Sequence, residues 1–286
     1  MVIAGGYKKS SVEFLIGDLG TKKHPKLPKE IFGSSMVLHN GTILLCGGEK
    51  NKQKCLQLDH GTWKEQSTLN EERAYHSAVT TQRATFLFGG CGFDSSKTYE
   101  YLPKDSNTWL IGKTEIPGGF WAGCAIAVKS DQEIWLIGGE GTEERILSFN
   151  VNDHSFQVLP SQLNVGRHGH SCAFIQNTNK VMITGGEDID EDILDSTEIL
   201  DTEDGSVSMA SPMNLIRSGH GMGVVTIHGK EKLAVFGGFD GRINFDSVEI
   251  YNNHTGKWET TDIKLKEAKG YFSFLGVKFA DLISHL

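Results

Sequence analysis

The sequence predicts an all-β protein, a six-bladed β-propeller of four-stranded antiparallel blades, and three observations carry that expectation. Six glycine doublets punctuate the 286 residues: Gly5-Gly6, Gly47-Gly48, Gly89-Gly90, Gly138-Gly139, Gly185-Gly186 and Gly237-Gly238. Successive doublets lie 42 to 52 residues apart, a period that belongs to repeat architectures. Each doublet ends a short apolar run (MVIAGG, TILLCGG, ATFLFGG, EIWLIGG, KVMITGG, KLAVFGG). These runs are too short for helices, and most are rich in β-branched or aromatic residues. A second alternating segment follows every doublet after a polar loop: SVEFLIG, KCLQLD, KTYEYL, RILSFN, STEILD and SVEIYN.

Each period reads as the same four strands. The strand ending in the doublet comes first, and glycines there permit a tight turn or a close backbone neighbour. The alternating segment is the next strand. A turn and a large apolar residue mark the third, with Tyr251 and Trp258 flanking NNHTGK and the same spacing at Phe149/Phe156 and Leu200/Val207. Tyr101 to Trp109 is one residue longer, Leu58 to Trp63 is shorter, and the first repeat has Lys22 where the late aromatic residue belongs. A few residues, often with a proline (Pro28, Pro117, Pro160, Pro212), then lead into an apolar strand that runs to the next doublet. Units of this kind bury their faces only by stacking on like units.

The chain starts on a doublet strand without an innermost strand before it, and it ends on KEAKGYFSFLGVKFADL, an innermost strand without a doublet after it. Lys269 takes the place of Arg73 and Arg217, and Phe272 that of His76 and His220. The segment Tyr271 to Val277 is therefore expected beside Met1 to Gly6. A strand over about residues 270–278 would complete the blade begun by 1–28, making residues 1–286 one closed and complete domain.

A net charge of −8 and a pI near 5.8 argue against nucleic acid as the partner. The N-terminus lacks the pattern of a signal peptide, and no apolar stretch is long enough to cross a bilayer. A soluble, cytoplasmic monomer is expected. The five cysteines (Cys46, Cys55, Cys91, Cys124, Cys172) are odd in number with no CxxC spacing. Free thiols in a reducing setting are the simplest expectation, with Cys91 unreactive for want of a basic neighbour in sequence.

The segment RSGHGMGVVTIHGKEKLAVFGGFDGRINFDSVEIYNNHTGKW, Arg217 to Trp258, resembles the kelch repeat in its basic residue, histidine, glycine doublet, tyrosine and tryptophan. Arg73 with His76 and Arg167 with His170 repeat the opening spacing, and the resemblance extends over essentially the whole chain. No Trp-Asp dipeptide, the mark of another propeller repeat, occurs. The resemblance to kelch domains of substrate-adaptor proteins implies one recognition rim. It is made from the residue after each doublet (Tyr7, Glu49, Cys91, Glu140, Glu187, Phe239) and from the turn entering each innermost strand. The expected partner-binding residues are Tyr7, Phe32, Arg73, Phe120, Trp121, Arg167, His168, Arg217, Phe239 and Lys269. Arginines and aromatics are the usual hot-spot residues. The arginines could clamp an acidic peptide, or hold blades together through carbonyls or glutamates. Because Glu49, Glu140 and Glu187 share the rim, the sign of the ligand stays open.

What the resemblance implies for function is a protein-interaction module, with ubiquitin-ligase recruitment supplied in relatives by a separate domain and actin binding known in the family. No catalytic residues, metal ligands or cofactor are expected. The loop EDIDEDILD, Glu187 to Asp195, alternates carboxylates like a calcium loop, but Ile193 stands where such a loop needs its glycine. A solvated loop or basic-partner patch is favoured there. His76, His170 and His220 follow the repeat, as structural residues would. Trp63, Trp109, Phe156 and Trp258 are read as anchors between blades. The alternative is a carbohydrate-processing, epimerase- or oxidase-like enzyme with its site in the central channel.

Overall fold

The computed structural model describes residues 1–15, 21–91 and 95–276. Its strands form six four-stranded antiparallel sheets. Blade I begins with β1 (Val2–Ala4), β2 (Val12–Leu15) and β3 (Thr21–His24). Blade II is β4 (Ser35–His39), β5 (Thr42–Cys46), β6 (Lys54–Asp59) and β7 (Thr62–Thr68). Blade III is β8 (Ser77–Thr80), β9 (Ala84–Phe88), β10 (Tyr99–Pro103) and the short β11 (Leu110–Ile111). Blade IV is β12 (Cys124–Val128), β13 (Glu133–Ile137), β14 (Arg145–Asn150) and β15 (Phe156–Gln162). Blade V is β16 (Ser171–Phe174), β17 (Lys180–Thr184), β18 (Thr197–Asp201) and β19 (Val207–Ala210). Blade VI is β20 (Gly221–Ile227), β21 (Lys230–Phe236), β22 (Ser247–Asn252) and β23 (Lys257–Lys264).

The last strand, β24 (Ser273–Leu275), returns to blade I, whose order is β24-β1-β2-β3. Val2, Ile3 and Ala4 lie opposite Leu275, Phe274 and Ser273. Closure by the C-terminal strand is thus as the two chain ends predict. The expected extension through Val277 lies outside the described residues.

The second strands are buried on both faces over the three or four residues that lead into each doublet, because each blade is covered on both faces by its neighbours. Six apolar clusters fill the six blade-to-blade interfaces. Phe14 meets Met36 and Leu45 between blades I and II, and Val37 and Cys46 meet Leu87 and Trp109 between II and III. Phe86 and Phe88 meet Leu136 and Phe149 between III and IV, and Trp135 and Ile137 meet Val181 and Leu200 between IV and V. Met182 meets Val235 and Trp258 between V and VI, and Ile3 meets Phe236 and Val248 between VI and I. The core is therefore a ring. Burying one such side chain contributes about 1.5–3 kcal/mol.

The doublets are where one blade admits the backbone of the next. Gly47 has φ +64° and Gly48 φ +89°. A Cβ on Gly47 would stand 2.5 Å from the Arg73 carbonyl oxygen and 2.7 Å from the His76 ring. Gly48 N–H donates to that same carbonyl at 2.7 Å.

Around the axis, six peptide groups form a closed ring of hydrogen bonds. Gly33 N–H donates to Tyr271, Tyr75 to Gly33, Ala122 to Tyr75, Gly169 to Ala122, Gly219 to Gly169 and Tyr271 to Gly219, at 2.6–3.0 Å. One residue per blade takes part, so the ring closes only with six blades and only if the C-terminal segment is in place.

In the outer strands, Tyr251 faces Trp258, Phe149 faces Phe156, Leu200 faces Val207 and Leu58 faces Trp63. Phe14 faces Lys22, which therefore holds the late aromatic position. Tyr101 pairs with Leu110 instead of Trp109. The Glu100–Ile111 register equals that of Glu249–Thr260 in blade VI, so Leu102, seven residues before Trp109, holds the Tyr251 position and the turn is no longer than the others. Trp109 is 2% exposed between blades II and III and donates its indole N–H to Ser67 Oγ at 3.1 Å.

The cysteine expectation needs correction. Cys46 and Cys55 face each other across β5 and β6 with Cα atoms 4.1 Å apart, and they are disulfide-bonded. Cys124 and Cys172 bridge the innermost strands of blades IV and V across a Cα separation of 6.0 Å. Cys91 alone is a free thiol. Sequence spacing hid both pairs because strand register and blade neighbourhood, not proximity along the chain, bring the partners together. Among the described residues no helix is long and apolar enough to cross a membrane.

Candidate functional site

The doublet turns and the entries to the innermost strands meet at one end of the channel, where their backbones pair. Glu49 N–H donates to Phe32 O, Cys91 to Ala74, Glu140 to Trp121, Glu187 to His168, Phe239 to Ser218, and Tyr7 to Gly270, at 2.7–3.1 Å. The two residue sets expected from the sequence thus do come together on one rim. Their alignment is off by one in the first repeat. Gly6 donates to Ile31 O as Gly48 does to Arg73 O, so Ile31 holds the position assigned to Phe32. Phe32 instead aligns with Ala74, Trp121 and His168 and stays on the rim.

Half of the expected binding residues are not available to a partner. Arg73 is 1% exposed, Phe120 1%, and Arg167, Arg217 and Lys269 are 0%. Each basic residue turns inward to a buried glutamate of the third strand of its own blade. Arg73 Nε meets Glu100 Oε1 at 3.0 Å, Arg167 Nη2 meets Glu198 at 2.8 Å, Arg217 Nη2 meets Glu249 at 3.0 Å, and Lys269 Nζ meets Glu13 at 2.8 Å. The arginines also donate to the first doublet carbonyls Gly89, Gly185 and Gly237. Burial lowers the pKa of Arg167 and Arg217, and the glutamates counter that shift. A buried charge left unpaired is strongly destabilising, and these cations are committed to glutamates inside their own blades rather than presented on the rim surface.

The sequence carried the signal for this network, although charge alone on the rim did not disclose it. The same glutamates accept main-chain N–H groups two or three residues before the basic residue: Asn70 and Glu71 to Glu100, Asn164 and Val165 to Glu198, Asn214 to Glu249, and Lys266 to Glu13. Blades II and IV lack the pair, having Ile31 with Leu56 and Phe120 with Leu147 at the matching places. In both blades the Asn position is a proline, Pro28 or Pro117, which has no N–H to satisfy. Acid, base and donor are present together or absent together.

What remains on the rim is aromatic and acidic. Tyr7 is 48% exposed, and Phe32, Tyr75, Trp121, His168, Phe239 and Tyr271 are half-buried. Tyr75 and Tyr271 belong to the axial ring, and their side chains meet at the mouth with centroids 6.1 Å apart. The sequence reading missed both, because the matching places hold Gly33, Gly169, Gly219 and Ala122. Burial raises the Tyr75 phenol, helped by Glu49, and pushes Tyr271 up to about 12. Tyr271 and Ser218 hydroxyls both donate to Glu187 Oε1, at 2.9 and 2.5 Å. Burial raises the Cys91 thiol, with Glu49 adding to the shift.

Behind the mouth lies a channel cavity of about 340 Å³. Its wall carries a serine staple between consecutive blades: Ser35 donates to His76 O, Ser77 to Gly123 O, Ser171 to His220 O and Ser273 to Ser34 O, at 2.6–2.8 Å. Cys124 occupies the staple position of blade IV, where the disulfide to Cys172 takes over the role. His76, His170 and His220 are buried beside the doublet of the preceding blade. Burial, with the neighbouring arginine, lowers His76 and His220 to about 3 and takes His170 well below its ordinary value.

The acidic loop is folded on itself, Asp188 Oδ1 accepting the N–H groups of Asp190 and Asp192 at 3.0 Å. No group of three or more metal-ligating side chains is gathered among the described residues.

No protein-family model matches this sequence, and no curated protein matches it. Among solved structures the chain is similar to one described as "Structure of YjhT", with a TM-score of 0.72 over 87% of this chain and 88% of that one. Their sequences are 14% identical, so the likeness is one of fold. The protein is a six-bladed β-propeller.

Proposed function

We propose that this propeller is a kelch-type protein-interaction module that engages a partner on the channel-mouth rim. The reading is supported above all by the exposed and half-buried aromatic side chains gathered there: Tyr7, Phe32, Tyr75, Trp121 and Phe239, contributed by five of the six blades. Aromatic anchors on a rigid rim contribute most of the energy in protein interfaces. Recruitment of a ubiquitin ligase or a cytoskeletal protein would need a further domain or partner. The test is capture from native lysate by the wild-type chain and by the combined Tyr7→Ala, Trp121→Ala and Phe239→Ala variant. The expected result is a partner retained by the first and lost from the second at unchanged melting temperature. Equal retention by both would overturn the reading.

A second reading has one observation in its favour, the hydroxyl-lined channel of about 340 Å³, a volume that admits a monosaccharide-sized ligand. Soaked crystals showing a sugar inside the channel would move the proposal to a carbohydrate-processing enzyme. The two disulfides weigh against the cytoplasmic setting expected from the cysteine count, since cytosolic thiols are held reduced.

A further inference from the structure

Removing the arginines from the rim changes what the rim can bind. Rings in edge-to-face contact run from blade I to blade IV: Tyr7 on Phe32 at 5.3 Å, Phe32 on Tyr75 at 6.3 Å, and Tyr75 on Trp121 at 6.3 Å between centroids. Aromatic rings attract cations through their quadrupoles. The strip already holds one, Lys8 Nζ lying 5.2 Å from the Tyr7 centroid. Glu49, Glu140 and Glu187 stand at one repeat position on blades II, IV and V. The Glu140 carboxyl is raised by burial and by Glu143, Glu187 and Glu191, with His168 opposing. Other nearby cations are engaged elsewhere: Lys50 with Glu30, Lys52 with Glu72, and Arg145 with the Gly119 carbonyl.

We propose that the mouth binds a basic segment of a partner protein, with a lysine or arginine side chain over the Tyr75, Trp121 and Tyr271 rings and against Glu49, Glu140 and Glu187. The inference rests on the interaction-module reading and adds the sign and side-chain type of the ligand. An acidic segment would meet the three carboxylates, while Arg73, Arg167 and Arg217 are buried out of its reach and exposed Arg242 lies in the blade VI loop beyond Phe239. The site suits a peptide better than one small amine, because its rings and carboxylates extend over several blades, well beyond the reach of a single ammonium group.

Panning a phage-displayed random peptide library against the wild-type chain tests this. Enriched peptides should carry lysine or arginine. Synthetic versions should lose about tenfold or more in affinity for the Glu49→Gln, Glu140→Gln, Glu187→Gln variant, and should weaken as salt rises. Acetylating the peptide lysine, or replacing arginine with citrulline, should cause a similar loss without altering the protein. Enrichment of acidic or uncharged peptides that still need Trp121 would overturn the inference and leave the interaction reading standing. Basic peptides indifferent to all three glutamates would overturn it as well. Failure to enrich any peptide beyond the level seen with the Tyr7→Ala, Trp121→Ala, Phe239→Ala variant would overturn both.

Discussion

Blade VI can be rewritten in the apolar form that blades II and IV already use, and the outcome is calculable. Arg217 and Glu249 are both fully buried, with Nη2 to Oε1 at 3.0 Å and Nε to Oε1 at 3.2 Å. Glu249 Oε2 accepts from the main-chain and side-chain nitrogens of Asn214, each at 2.7 Å. Arg217→Met leaves a carboxylate buried against amide donors alone, and such a broken pair costs about 3–5 kcal/mol. For a chain of this size that lowers the melting temperature by roughly 10 °C. Glu249→Leu alone strands the guanidinium and the Asn214 N–H and should cost a similar amount. The combination Asn214→Pro, Arg217→Phe and Glu249→Leu reproduces the Pro117, Phe120, Leu147 set of blade IV. It removes charge, countercharge and donor together and should lie within about 1–2 kcal/mol of wild type. Urea unfolding followed by circular dichroism reads all of these. A combined variant as unstable as the sum of its parts, or a single arginine variant costing less than about 1 kcal/mol, would refute the reasoning.

Other expectations follow from the same geometry. Truncation after Gly270 removes β24 and opens the ring. It should abolish cooperative unfolding or produce aggregation, and size-exclusion chromatography with calorimetry would detect either. Reducing the Cys124–Cys172 bridge, which closes a 48-residue span, should cost about 4 kcal/mol on the loop-entropy account. Under reducing conditions Cys124→Ser should be no less stable than the reduced wild type, since it restores the serine staple; a marked loss would contradict that role. His76, His170 and His220 are held neutral in the folded state. The unfolded chain takes up protons near pH 6.5 that the native state refuses until about pH 3 at His76 and His220. Stability is therefore fully present above pH 6.5 and should fall by roughly 1 kcal/mol per histidine per pH unit below it. A melting temperature flat from pH 7 to 5 would be inconsistent with this.

The repeat and its closure were legible because they rest on local chemistry. Doublets such as Gly47-Gly48 mark places where a blade admits its neighbour's backbone, and the C-terminal segment supplies the innermost strand of the blade begun at Met1. The rim's position was legible for the same reason, but its chemistry was not. Arg73, Arg167 and Arg217 look like surface charges until Glu100, Glu198 and Glu249 are placed beside them by strands about 30 residues further on. The linkage was written in the paired substitutions Ile31 with Leu56 and Phe120 with Leu147, which become readable only once strand register is known. Phe32 was displaced by one because the first repeat has Ile31 in the basic position, with nothing polar to fix the alignment. Cys46 and Cys55 escaped notice because facing residues of a hairpin have no fixed sequence spacing.

The ring of axial peptide groups gives the most direct test of the closed six-bladed wheel. Amide hydrogen exchange should find Gly33 and Tyr271 N–H, which straddle the junction of the two chain ends, protected to the same degree as those of Tyr75, Ala122, Gly169 and Gly219. Rapid exchange at Gly33 and Tyr271 while the other four stay protected would mean that the ring is open where the account requires it to be shut.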